Sequence, residues 1–363
     1  MSHITIIAGA RPNFIKIAPL IDAILKNNSK LNYRLIHTGQ HYDNKMSGAF
    51  FKQLNIPEPH VNLCCGGGTQ AEQTSSIMIA FEKEMLNSKT DIVLVVGDVT
   101  STMACSIVTK KLKLKLAHVE AGIRSNDLSM PEEINRLITD SITDYFFVTT
   151  KLAYRKLISE GHNENKIHFV GNVMIDTLLK NKNRFEKPKI WNKYNLKSKE
   201  YLVLTLHRPS NVDKIDKFKE IIKQIDINSN GKKVIFPVHP RVKKIFENEN
   251  LIFKNIITTD PLGYLEFNFL VSKSLGVITD SGGITEETTV LGIPCITLRN
   301  NTERPETIEI GTNELIGTDP KVIKPALLKL FSGKWKTGQI PELWDGKSAE
   351  RIIEIIMDLK GQF

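Results

Sequence analysis

Three carboxylates in this chain stand where elements end or begin, and one of them, Glu120, closes a short apolar run, a place where charge is normally avoided unless it is paired or used. Asp98 comes just after the run 92–96, Glu120 closes the run 116–119, and Glu132 follows Pro131 at the start of a helix-like stretch. Carboxylates that share one crevice raise one another's pKa, which lets one of them take or give a proton near neutrality. Structural roles compete with this reading. Asp98 ahead of Val99-Thr100-Ser101 can cap a helix, Glu132 and Glu133 suit the positive end of a helix dipole, and Arg136 can pair with both at helical spacing.

Other residues suit anions. Gly9-Ala10-Arg11-Pro12-Asn13-Phe14-Ile15-Lys16 reads as a glycine turn feeding a helix, with Arg11 and Lys16 beside the exposed amides, an arrangement that favours phosphate or carboxylate. It lacks the third glycine of a dinucleotide fingerprint and the GK[ST] of a P-loop. His207 and His239 each end an apolar run and are followed closely by Arg208 and Arg241. The turn Ser281-Gly282-Gly283 opens a helix with bare amides that suit a phosphate, and Glu287 one turn on can accept from ribose hydroxyls. Arg304 adds a guanidinium. Together these residues describe a nucleoside diphosphate held by the second half of the chain and a carboxylate-lined pocket in the first. The cations already supply positive potential and no DxD pair occurs, so neither a metal nor a cofactor is expected.

The elements that must position these groups alternate. Strand-like runs at 4–7, 34–36, 92–96, 116–118, 145–148 and 167–170 are separated by helical patterns, and the alternation restarts at 201–206, 233–236, 276–278 and 294–298. Strands alternating with helices imply an α/β fold of two Rossmann-like, doubly wound parallel-sheet domains, in which ligands bind past the carboxyl ends of the strands. The expected division is 1–170 for the first domain and 171–348 for the second, with a terminal helix over 349–363 packing back on the first.

The chain has 363 residues, with 49 basic against 40 acidic side chains and a formal charge of +9, a balance that invites a nucleic-acid reading. Only 11 of the basic residues are arginine, and the lysines are dispersed, with no basic run interleaved with aromatics as single-strand binding requires. No nucleic-acid partner is expected. Cys64, Cys65, Cys105 and Cys295 form no CxxC pair and lack zinc-ligand spacing, which suits a reducing cytoplasm. The first residues run straight into a strand, unlike a signal peptide, and no apolar run is long enough for membrane insertion.

Taken in order, Gly9-Ala10-Arg11-Pro12, Gly97-Asp98, His118-Val119-Glu120-Ala121-Gly122, Pro131-Glu132-Glu133-Ile134-Asn135-Arg136, His207-Arg208, Pro237-Val238-His239, Asp280-Ser281-Gly282-Gly283 and Thr302-Glu303-Arg304-Pro305-Glu306 resemble the non-hydrolysing UDP-N-acetylglucosamine 2-epimerases over essentially the whole chain. The resemblance implies a GT-B-like pair of domains facing a central cleft, a homodimer, and epimerisation by expulsion of UDP to a bound 2-acetamidoglycal followed by re-addition. It places the catalytic groups at Asp98, Glu120, Glu132 and His207. Substrate and UDP contacts fall at Arg11, Lys16, Arg136, His239, Ser281, Gly282, Gly283, Glu287 and Arg304, with a uracil pocket near Phe267. It does not divide the acid and base roles among the carboxylates.

Where the family more often has Gly-Thr-Arg-Pro-Glu, this chain has Gly9-Ala10-Arg11-Pro12-Asn13, and the loop 124–131 is shorter than in some members. Both features resemble relatives acting on a 2,3-diacetamido uronic acid. Members with an activating second sugar-nucleotide site use polar residues near Gln40 and Gln70; Asp43 and Thr69 replace neighbouring side chains here, which argues against such control. A hydrolysing 2-epimerase, a GT-B glycosyltransferase and a non-catalytic sugar-nucleotide sensor are the rival readings.

Overall fold

The computed structural model describes residues 2–27, 31–40, 50–238, 240–249 and 252–359. It divides into two units, Met1–Lys180 with Glu342–Phe363, and Asn181–Pro341. The first unit holds β1 (Ser2–Ala8), β2 (Leu31–His37), β3 (Val61–Asn62), β4 (Ile92–Val96), β5 (Lys115–Val119), β6 (Tyr145–Val148) and β7 (Ile167–Phe169), in the order β3-β2-β1-β4-β5-β6-β7. The second holds β8 (Tyr201–Thr205), β9 (Lys233–Pro237), β10 (Ile256–Thr259), β11 (Gly276–Thr279), β12 (Cys295–Thr297) and β13 (Asn313–Leu315), in the order β10-β9-β8-β11-β12-β13. Every pairing in both sheets is parallel.

Residue chemistry explains the layering. A parallel sheet covered on both faces needs continuous apolar strands, and all five residues of β4, Ile-Val-Leu-Val-Val, are buried. On β8, Leu202 and Leu204 pack with Ile221, Ile222 and Leu327 on one face, while Tyr201 and Val203 pack with Leu270 and Val271 on the other. Three strands escaped the sequence reading: β3, β10 and β13. All three lie at sheet edges, where a strand of two to four residues needs only its one neighbour to define it.

The division between units falls after Lys180, not at residue 170. The helix Val173–Asn181 belongs with the first unit because Thr177 Oγ1 donates to the Ile15 carbonyl at 2.6 Å and Asp176 accepts from the Ala349 amide at 2.7 Å. The chain also returns earlier than expected, at Glu342. Trp344 is 1% exposed and its Nε1 donates to the Thr149 carbonyl at 3.1 Å. The helix Ser348–Asp358 then buries Ile352, Ile353 and Ile356 and packs against the helix Arg11–Lys26. Among the described residues, no helix is long and apolar enough to cross a membrane.

Trp344 is the anchor of this return. Trp344→Ala is expected to destabilise the chain by about 3–5 kcal/mol, the usual range for truncating a buried tryptophan, as measured by urea unfolding. A loss under about 1 kcal/mol, the range of an ordinary surface change, would mean that the segment is seated by other contacts.

Candidate active site

In the first unit the strand order reverses between β1 and β4, and in such sheets the crevice for a ligand opens past the carboxyl ends of the strands at that point. The loops after β1, β4 and β5 meet there. The Gly97 amide donates to the Val119 carbonyl at 3.0 Å, which keeps the loops after β4 and β5 level. Asn13 stitches the first loop to β4: its Oδ1 accepts from the Gly9 and Ala10 amides at 3.0 and 3.1 Å, and its Nδ2 donates to the Val96 carbonyl at 3.0 Å. A Cβ on Gly9 would lie 2.1 Å from Ser101 Oγ and 2.6 Å from its Cβ, so glycine leaves the space that the Ser101 side chain fills.

Two ion pairs hold two of the expected carboxylates. Lys16 Nζ lies 2.7 Å from Glu120 Oε2, and both residues are buried. Gly97, at φ +65°, makes this possible, because a Cβ there would stand 2.7 Å from Lys16 Nζ. Glu120 itself sits at φ +74°, a left-handed conformation that costs a side-chain-bearing residue roughly 1–3 kcal/mol and clusters at functional sites. Asp98 is half-buried, with one carboxylate oxygen 2.5 Å from Arg136 and its carbonyl accepting from Asn135 Nδ2 at 2.8 Å.

The other arm of Arg136 meets Glu133 at 2.8 Å, and Glu133 also accepts from the Ser125 and Asn126 amides at 2.9 Å each. Burial pushes the Glu133 carboxyl up, but these donors prevail and hold it below its ordinary value. Glu132, by contrast, is exposed on the first turn of the helix Pro131–Ile142. Arg11 lies with its guanidinium 4.2 Å over the Phe50 ring.

The two glutamines of the second-site expectation converge on the start of the helix Thr100–Lys111. Gln40 Oε1 accepts from the Ser101 amide and hydroxyl at 3.2 and 2.8 Å, and Gln70 Oε1 accepts from Thr100 Oγ1 at 3.4 Å. Thr69 caps the helix Gln70–Leu86 through a reciprocal pair of bonds with Glu72. His239 and Asp43 lie outside the described residues.

The second unit reverses strand order between β8 and β11, and there His207 meets Asp280. His207 Nδ1 is 2.8 Å from Asp280 Oδ1, leaving a ring that is about half exposed with its Nε2 edge turned away from the carboxylate. Asp280 is buried and accepts further bonds from the His207 and Arg208 amides and from Asn211 Nδ2. Burial raises its pKa, yet His207, Arg208 and Asn211 together hold it below the ordinary value. The next residue, Ser281, precedes the helix Gly282–Leu291 and its side chain makes no cap bond. Ser281 follows Asp280 directly, so the hydroxyl and the first-turn amides come next in the chain to the carboxylate that holds the histidine.

Glu287 is buried against Tyr264, whose phenol bonds to it and is pushed far above its usual pKa by burial and by that carboxylate. Arg304 is 5% exposed and its Nε lies 2.7 Å from Glu286, so a carboxylate already engages the guanidinium expected on a phosphate. Glu303 lies 2.5 Å from Arg299 and 3.4 Å from Arg208. Phe267 packs on the apolar core beside Leu270 and Val271.

The residue reading underrated the groups that hold the site. Asn13, Glu133, Asn135, Asp280, Glu286 and Glu303 fix the residues singled out by motif. Two of them were visible in pattern: Asn13 stands at the third position of its helix, where a side chain can reach back to the preceding amides, and Glu133 is three residues before Arg136. Asp280 and Glu286 are legible only once β8, β11 and β12 are neighbours.

The fold and its loops define a class: two doubly wound, all-parallel α/β units with paired carboxylates, cations and a histidine past their strand ends. Residues 23–357 match the family model described as UDP-N-acetylglucosamine 2-epimerase. The UDP-N-acetylglucosamine 2-epimerase of Methanocaldococcus jannaschii is 43% identical over 97% of this chain and 98% of its own length. Its crystal structure in complex with UDP-GlcNAc and UDP superimposes with a TM-score of 0.89, covering 98% of this chain and 99% of that one. The UDP-2,3-diacetamido-2,3-dideoxy-D-glucuronate 2-epimerase of Pseudomonas aeruginosa is 37% identical over 99% of this chain and all of its own. The chain belongs to the UDP-N-acetylglucosamine 2-epimerase family.

Burial raises the Glu303 carboxyl, but Arg299, Arg304 and Arg208 pull it from an ordinary 4.5 down to about 2. A depressed acid contributes stability above its unfolded pKa and loses it as pH falls through its folded one. Glu303→Gln is therefore expected to cost about 3 kcal/mol at neutral pH, as breaking a buried pair does. The gap between wild type and variant should close as pH falls from 4.5 toward 2, and a gap that stays constant in acid unfolding curves would refute the pairing.

Proposed function

We propose that the chain is a non-hydrolysing UDP-N-acetylglucosamine 2-epimerase that interconverts UDP-GlcNAc and UDP-ManNAc. The observation that carries this reading is the pair of anchored carboxylates past adjacent strand ends, Asp98 on Arg136 and Glu120 on Lys16, in a chain of this family. Inverting C2 requires a proton to leave one face of the sugar and return on the other, which calls for two groups able to exchange it. Asp98, Glu120 and Glu132 are assigned to that work. Expulsion of UDP to the 2-acetamidoglycal places charge on the diphosphate, and His207, Arg11 and the Ser281–Gly283 turn are assigned to stabilise it. The oriented His207–Asp280 pair supports this, since the carboxylate holds Nδ1 and leaves Nε2 for a ligand.

Glu287, with Tyr264 behind it, is assigned to the ribose, Phe267 to the uracil side, and Lys16, Arg136, Arg304 and His239 to the electrostatics of substrate and diphosphate. Arg304 acts through its pairing with Glu286 in this scheme. The setting is cytoplasmic and the assembly a homodimer, in keeping with the family and with four free cysteines. A second reading, the same inversion on a 2,3-diacetamido uronic acid, is favoured by the Pseudomonas aeruginosa relative.

Incubation with UDP-GlcNAc in heavy water is expected to give both epimers carrying deuterium at C2 and no free N-acetylmannosamine. Exchange only with the diacetamido uronic acid would move the substrate and keep the chemistry; free sugar would replace it with hydrolysis. Asp98→Asn, Glu120→Gln and Glu132→Gln should each lower kcat by about 100-fold or more, the usual weight of a general acid or base. Full turnover in all three would remove the site.

A further inference from the structure

His118 is wholly buried near the end of β5, and both of its ring nitrogens face groups that can only accept. Nδ1 lies 2.7 Å from Asp140 Oδ1 and Nε2 lies 2.8 Å from the Gly97 carbonyl. Burial raises the Asp140 pKa, but His118 and Arg124 outweigh it and hold the carboxyl below its ordinary value. A neutral imidazole has one N–H, so it would turn a lone pair on one of these two oxygens.

The other partners of Asp140 are donors as well: Arg124 joins it at 2.6 Å and the Gly122 amide donates to it at 3.0 Å, a set that suits a carboxylate rather than a carboxylic acid. Arg124 also joins Glu160 at 2.6 Å, and Lys156 stands 3.5 Å from that second carboxylate. The placement links function to this charge. Gly97 precedes Asp98, and His118 stands two residues before Glu120.

We propose that His118 is held as an imidazolium that donates from both nitrogens, a positioning residue that ties the Asp98 loop to the strand carrying Glu120. The functional part rests on the proton-transfer roles given to Asp98 and Glu120 above. A histidine that merely fills the core would make one bond and leave turnover alone.

Nitrogen NMR of the full chain labelled at histidine is expected to show both His118 ring nitrogens in the protonated position at neutral pH. His118→Gln should lower kcat on the order of 10- to 100-fold, the cost of small misplacements, with KM for the UDP-sugar changed less than about twofold. Asp140→Asn keeps the shape of its site if His118→Gln fails to fold. It should convert the ring to a neutral form with one bare nitrogen and lower kcat in the same way. A bare ring nitrogen in the wild type, or full kcat in either folded variant, overturns the proposal. If the wild type turns over no UDP-sugar, the functional reading fails while the nitrogen signals still decide the charge of the ring.

Discussion

A carboxylate at the end of a strand buried on both faces persists only beside a cation or a set of donors, because desolvation of an unpaired charge costs several kcal/mol. This constraint organises both units. Glu120 requires Lys16, Asp98 and Glu133 divide Arg136, and in the second unit Glu303 takes Arg299 while Glu286 takes Arg304. Each pairing also fixes where a functional group points. The electrostatics of stability and the electrostatics of the site are therefore one arrangement.

The backbone yields where the charges require it. Glu120 adopts a left-handed conformation, and Gly97 does so next to Lys16, so the space a side chain would fill is left to the lysine. Strain of this kind persists only where surrounding bonds over-determine it. Here the Glu120 and Ala121 amides both donate to the Phe147 carbonyl, and the Gly97 amide continues the β4–β5 ladder. The sheet thereby fixes Glu120 in the place from which the proposed proton transfer would occur.

The two units use one topological device for two tasks. Both reverse strand order beside their central strands, at β1–β4 and at β8–β11, and both place polar loops there. In the first unit the loops carry carboxylates held by cations. In the second they carry a histidine held by a carboxylate, beside the amides of a Ser-Gly-Gly turn. Division of labour follows from loop chemistry on a shared scaffold.

Much was legible in residue order alone. Continuous β-branched runs such as 92–96 specify strands buried on both sides, and the polar residues directly after them mark the ligand side, because local pattern and burial agree there. The edge strands β3, β10 and β13 were not legible, since two to four residues carry no period and are defined by a neighbour. The unit boundary at Lys180 depended on Thr177, Asp176 and Trp344 finding partners at Ile15, Ala349 and Thr149. Motif and spacing picked out the residues to which the chemistry is assigned: Asp98, Glu120, His207 and the Ser281–Gly283 turn. Only the tertiary structure decided which groups hold them, that Glu133 and not Glu132 grips Arg136, that Asp280 orients His207, and that His118 spans Gly97 and Asp140. Those partners are far apart in the chain or differ by one step around a helix, and strand order and helix rotation alone bring them within a hydrogen bond.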